Sequence, residues 1–177
     1  MVEQYAGSGF ELVAVAVDAQ GAKMPRPFME QAGATFTCLV DSDNLLSKTF
    51  GFKAVPNGIL IDESGEVVYQ KFGGFDIRKQ ETRDLVDAWL TSGATAGAES
   101  SERTEVDSRV HVLFGQGLAL LRSGDTIGAR AKWREVSIFD PDNYVVHKQL
   151  WSIENPERFY GENVDMDWQK QQLAQGL

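Results

Sequence analysis

The chain has 177 residues, 42% apolar and 24% charged, with a formal net charge of −9. This is the composition of a folded chain of one or two domains with a core of its own. The acidic surplus argues against a nucleic-acid or anionic-membrane surface, because neutralising phosphates takes clustered Lys and Arg. No apolar run approaches the ~20 residues of a bilayer-spanning helix, and the single cysteine, Cys38, leaves no internal disulfide framework and no cysteine-based zinc site.

Met1 to Tyr5 has neither a basic stretch nor a signal-type apolar segment, so a cytoplasmic location is expected. Phe10 to Asp18 is almost continuously apolar and β-branched, which predicts a strand buried on both faces of a parallel or mixed sheet. Met24 to Gln31 reads as a short helix with prolines near its start, and Thr35 to Val40 as a second strand. Asp41, Ser42 and Asp43 offer caps for a helix through Leu45, Leu46 and Phe50 that Gly51 stops. A strand from Gly58 to Asp62, a turn at Glu63-Ser64-Gly65 and a strand from Glu66 to Phe72 follow. A helix from about Arg78 to Leu90 sets Leu85, Val86, Trp89 and Leu90 on one stripe.

Composition changes at Thr91. The small polar run 92–105 has nothing to bury and reads as a linker between a domain at 1–91 and another at 106–177. Beyond it the spacing is helical. Val110, Leu113, Phe114, Gly117, Leu118 and Leu121 form one stripe, and Ser123-Gly124-Asp125 breaks it. Ala129, Trp133 and Val136 form a second stripe, which Asp140-Pro141-Asp142-Asn143 ends. The run from Leu113 through Gly117, Leu120, Ala129 and Trp133 to Pro141 resembles one tetratricopeptide unit. Such a unit cannot bury its own face, so Tyr144 to Ile153 is expected to pack on it as a third helix. Asn155-Pro156 stops that helix, and a tail with Trp168 and Leu173 forms a last helix or folds back.

The N-terminal part resembles the redoxin branch of thioredoxin-like proteins. Four stretches carry the resemblance: Gly9 to Asp18, Cys38-Leu39-Val40-Asp41, Phe50 to Pro56, and Gly58 to Asp62 with Gly65. The resemblance implies an incomplete thioredoxin-like mixed sheet with flanking helices, followed by an all-α tetratricopeptide-like segment. It also implies a cis peptide bond before Pro56, in a substrate-facing loop of Val55, Pro56 and Asn57 that lies opposite a redox dithiol. This chain departs from the pattern by carrying one thiol, whereas a dithiol cycle within one chain needs two. The central strand and the cysteine-bearing helix start have no counterpart here. The strands flanking the gap are expected either to pair directly or to be completed by a partner, and a rearranged sheet with a homodimer is the expected outcome.

Cys38 is the one candidate nucleophile, with one-cysteine peroxidase chemistry as the activity it would carry. It alternates with Phe36 and Val40 along a strand, which predicts a thiol packed in the core. His111 and His147 have no metal-ligand spacing around them and read as surface or helix-interface residues. Asp41, Asp43, Asp62 and Glu63 read as cap and turn residues, and Gly73-Gly74 as a turn. Trp151, Arg158, Phe159 and Tyr160 suggest a docking surface, onto the N-terminal domain or onto a partner. The expected function is a redox-inactive thioredoxin-like protein that acts as a protein-interaction module through its helical region, without metal or cofactor, in contact with a protein partner or a second copy. The alternative is a thiol-disulfide oxidoreductase, extracytoplasmic in that case, whose cysteines lie upstream of Met1.

Overall fold

The computed structural model describes residues 5, 7, 9–93, 108–161 and 164–175. In chain order they form β1 (Val13–Val17), α1 (Arg26–Gln31), β2 (Thr37–Asp41), α2 (Leu45–Phe50), β3 (Gly58–Ile61), β4 (Val67–Lys71), α3 (Gln80–Ser92), α4 (Ser108–Arg122), α5 (Thr126–Phe139), α6 (Tyr144–Glu154), α7 (Pro156–Tyr160) and α8 (Met166–Ala174). The class is α/β, with two small sheets and eight helices among the described residues. Of the expected linker only Ser92 and Gly93 are described, and Ser92 closes α3; the rest lies outside the described residues. No described helix is long and apolar enough to cross a membrane.

The strands form two separate pairs. β1 and β2 run parallel, in register from Val13 opposite Thr37 to Val17 opposite Asp41. β3 and β4 are an antiparallel hairpin with Gly58 opposite Lys71. Asp62 builds its turn, with one carboxylate oxygen accepting from the backbone N–H of Ser64 and of Glu66, while Gly65 takes the left-handed conformation at φ 87°. The hairpin lies on α3 through Leu60, Tyr69 and Val86, with Phe75, Leu85, Trp89 and Leu90 packed around them.

β1 and β3 do not pair with each other, so among the described residues each has one edge without a neighbouring strand. This corrects the expectation of a strand buried on both faces. Val13 is 44% and Val15 38% exposed, because a two-stranded sheet has no third strand or second layer over those side chains.

The C-terminal helices follow the predicted stripes closely. Val110, Phe114 and Leu118 of α4, Trp133 and Val136 of α5, and Val146 and Leu150 of α6 form one core. Trp133 stacks on Phe114 with ring centroids 5.4 Å apart, and its indole N–H donates to the Phe114 carbonyl at 3.3 Å. Gly117 sits where any Cβ would run into that indole. Side-chain caps open three of these helices: Asp125 accepts from Gly128, Asn143 from Val146 and Asp165 from Trp168. Pro156, expected only to end α6, also begins α7 from the first-turn position that proline tolerates.

Because close packing on Trp133 excludes a methyl group, Gly117→Ala is expected to lower unfolding free energy by about 1–3 kcal/mol in urea denaturation. Gly115→Ala on the open side of the same helix is expected to be neutral or stabilising by up to about 1 kcal/mol.

Candidate functional site

The Val55–Pro56 bond is cis. The carbonyl of Pro56 accepts from Phe75 N–H at 3.2 Å, and Asn57 Oδ1 accepts from Gly73 N–H at 2.7 Å. These bonds tie the loop to the segment after β4 and leave Val55 and Pro56 exposed.

α6 connects this loop to the end of β1. At its first turn Val145 N–H, which has no partner within the helix, donates to Lys53 C=O at 3.0 Å. Lys53 Nζ forms an ion pair of 2.7 Å with Asp140, whose other carboxylate oxygen accepts from Asn143 at 3.1 Å. One turn further on, about 6 Å along the axis, lies Gln149. Its Nε2 donates to Val17 C=O at 3.1 Å and its Oε1 accepts from Ala19 N–H at 2.7 Å. A carboxamide that bonds the carbonyl of one residue and the N–H two residues on reproduces the spacing of a ladder partner. Ala19 is buried with the core of α4, α5 and α6.

A polar cluster continues from this point. Asp18 is 7% exposed; its Oδ2 accepts from the Tyr160 hydroxyl at 2.8 Å and its Oδ1 from Gln20 N–H at 2.8 Å. Gln20 Nε2 donates to Tyr160 Oη at 3.0 Å. Burial raises the Asp18 pKa, opposed by these two hydrogen bonds and by Lys23. Burial and the Asp18 carboxylate raise that of Tyr160, which therefore stays a protonated donor at neutral pH.

Of the group expected to dock, only Tyr160 reaches the N-terminal part, and the others pack against the C-terminal tail. Trp151 is buried and meets Trp168 edge-on at 5.8 Å. Phe159 also meets Trp168 edge-on, at 6.2 Å. Arg158 lies over the Trp168 ring and pairs with Asp165 at 2.6 Å. Tyr160 reaches Asp18 and Gln20. These side chains serve the packing of α8 and the junction with the N-terminal part.

Cys38 is exposed, which corrects the expectation of a core thiol. The alternation places it on one face with Phe36 and Val40, but β2 belongs to a two-stranded sheet and no layer among the described residues covers its side chain. It lies on β2, and its thiol donates to the Phe36 carbonyl at 3.4 Å. His147 is buried between α5 and α6, against Ser137 and the Pro141 carbonyl. His111 is half-buried, with its pKa lowered by burial and by Lys48. Asn44 holds the N-cap position of α2, and the Asp41 carboxylate, at the end of β2, accepts from the Leu45 and Leu46 N–H groups of its first turn at 2.8 Å each. No set of three His, Cys, Asp or Glu residues among those described could hold a metal.

Sequence reasoning missed Gln149 and Asp18. A glutamine between apolar positions of a helix reads as surface, and an aspartate at a strand end reads as turn chemistry. Only the chain folding back shows either to be buried. No family model, curated protein or solved structure matches this chain.

Gln149→Leu strands the Val17 carbonyl and the Ala19 N–H. Each buried group left unpaired costs about 1–3 kcal/mol, so a loss of about 2 kcal/mol or more is expected in urea denaturation. Asp18 has the opposite sense to a salt-bridged carboxylate. Its raised folded-state pKa makes the charge a burden above that pKa, and the burden lifts as pH falls toward the unfolded value. The stability of the native chain relative to Asp18→Asn is therefore expected to rise as pH falls from neutral toward the ordinary value of 3.8, as measured by paired denaturation curves.

Proposed function

We propose that this chain is a redox-inactive thioredoxin-like protein joined to a tetratricopeptide-like helical unit, and that it works by protein contact. The contact is strand addition: an extended segment of another protein lies along the unpaired edge of β1. The observation that carries this reading is the state of β1. Val13 and Val15 are exposed beside an edge with no neighbouring strand among the described residues, while at the strand's end Gln149 supplies the bonds a neighbour would make. A row of free backbone groups flanked by apolar side chains is a template for another strand.

Two further features favour binding over catalysis. The one thiol, Cys38, lies on the exposed side of β2 without a second cysteine to close a disulfide. Trp151, Phe159, Tyr160 and Trp168 of the C-terminal part are engaged by the chain itself, which turns the reading from them to the sheet edge.

A blocked ten-residue peptide of alternating valine and threonine, with glutamine at each end, serves as a probe. It is expected to bind the chain in fluorescence anisotropy and to slow hydrogen exchange in β1. Val15→Lys, which puts a charge on that strand, is expected to weaken binding about tenfold or more. The chain is expected to leave insulin disulfides unreduced. Absence of peptide binding, or catalytic reduction of insulin, contradicts the reading.

A further inference from the structure

α5 carries two stripes on opposite faces. One holds Ala129, Trp133 and Val136, all buried. The other holds Ile127, Ala131, Arg134 and Ile138, at steps of four, three and four residues. Such steps keep side chains in one line along a helix and are the spacing of a seam onto which a second helix packs. Here the seam is open. Ile138 is 83% and Ile127 79% exposed, more than any other large apolar residue described. Ala131 and Arg134 between them are exposed as well. Apolar residues scattered singly over a surface are ordinary. Two isoleucines about 16 Å apart along one helix, with a small residue and an arginine in line between them, make a surface with a direction and a length.

The charge around this seam differs in sign from the rest of the molecule. Arg130, at 2.8 Å, and Arg134 both meet the same oxygen of Glu154 on α6, so two guanidinium groups share one carboxylate. Lys132 and Glu135 balance each other at 2.7 Å. One positive charge is left over. From Ser108 to Phe139 the chain has five Lys and Arg and two acidic residues, against a net charge of −9 overall. Arg134 stands in the line of the seam with 55% of its side chain exposed. A guanidinium has five N–H donors, so Arg134 can take a second carboxylate while it holds Glu154. An apolar strip with a surplus positive charge selects a partner of the opposite sign.

We propose that this face of α5 docks an acidic amphipathic helix of another protein. The incoming helix lays its apolar stripe on Ile127, Ala131 and Ile138 and sets a carboxylate against Arg134. Ala131, in the middle of the seam, lets the two backbones approach, because the distance between helix axes is set by the side chains at the contact. The surface lies on the helical part and is separate from the edge of β1. The inference therefore goes beyond strand addition and does not rest on it.

The probes are two blocked three-heptad peptides with leucine at the first and fourth positions of each heptad. The remaining positions are alanine, except for two per heptad that hold glutamate in one peptide and glutamine in the other. Both are used where sedimentation shows them monomeric, at 0.15 M salt so that repulsion from the acidic chain is screened beyond about 8 Å. In fluorescence anisotropy the glutamate peptide is expected to bind the native chain about fivefold more tightly than the glutamine peptide. Ile127→Lys and Ile138→Lys together, on side chains that already face water, are expected to weaken both peptides about tenfold or more. Arg134→Gln is expected to remove the preference for glutamate, and Val15→Lys on β1 to change neither affinity. Equal affinity of the two peptides for the native chain, undiminished binding in the paired isoleucine variant, or a glutamate preference that survives Arg134→Gln overturns the proposal. So does binding of neither peptide, or a native chain that sediments as a dimer which the isoleucine substitutions dissociate, since a second copy would then occupy the seam. Each of these outcomes leaves strand addition along β1 standing.

Discussion

The Gln149 carboxamide stands where a strand residue would stand. β1 has a partner on one side only, and a backbone edge removed from water needs its N–H and C=O groups satisfied. At the end of β1, where Ala19 is buried with the helical core, one side chain of α6 satisfies both groups together. Further back along the strand no such substitute exists among the described residues, and Val13 and Val15 remain open to water. The same strand is thus closed at one end by its own chain and open along the rest. The division follows from the position of one glutamine.

That glutamine can reach β1 because α6 is fixed at both ends of the contact. The Lys53–Asp140 ion pair and the Val145–Lys53 bond set its first turn against the segment leading to Pro56. The Asp18, Gln20 and Tyr160 cluster sets the far side. Lys53 and Asp140 are partly shielded, which makes their pair worth more than the exposed Arg122–Asp43 pair. A segment added along β1 would therefore stop at Gln149, whose carboxamide already holds Val17 and Ala19.

The helical part was the more legible in the sequence. Its stripes recur at 3.6-residue spacing, and Trp133 opposite Gly117 pairs a large residue with a small one, a relation that spacing alone suggests. Local polar chemistry was legible too: Asp41 as an acceptor for the first turn of α2 and Asp62 as a turn residue depend only on neighbours a few positions away. Cys38 and β1 were misread for one shared reason. Alternation tells which side chains share a face and says nothing of whether another layer covers it. Gln149 and Asp18 owe their roles to contacts more than a hundred residues apart in sequence, which leave no local pattern.

The account stands on the helical unit and β1 forming one cooperative body through Gln149, and the amide of Ala19 reports on that contact directly. In residue-resolved hydrogen exchange of the native chain, Ala19 is predicted to open with the same free energy as the interior amides of α6, such as Leu150, because freeing it requires the junction to come apart. Rapid exchange at Ala19 while Leu150 remains protected would contradict the account, since β1 would then be detached from the helix that is held to complete it.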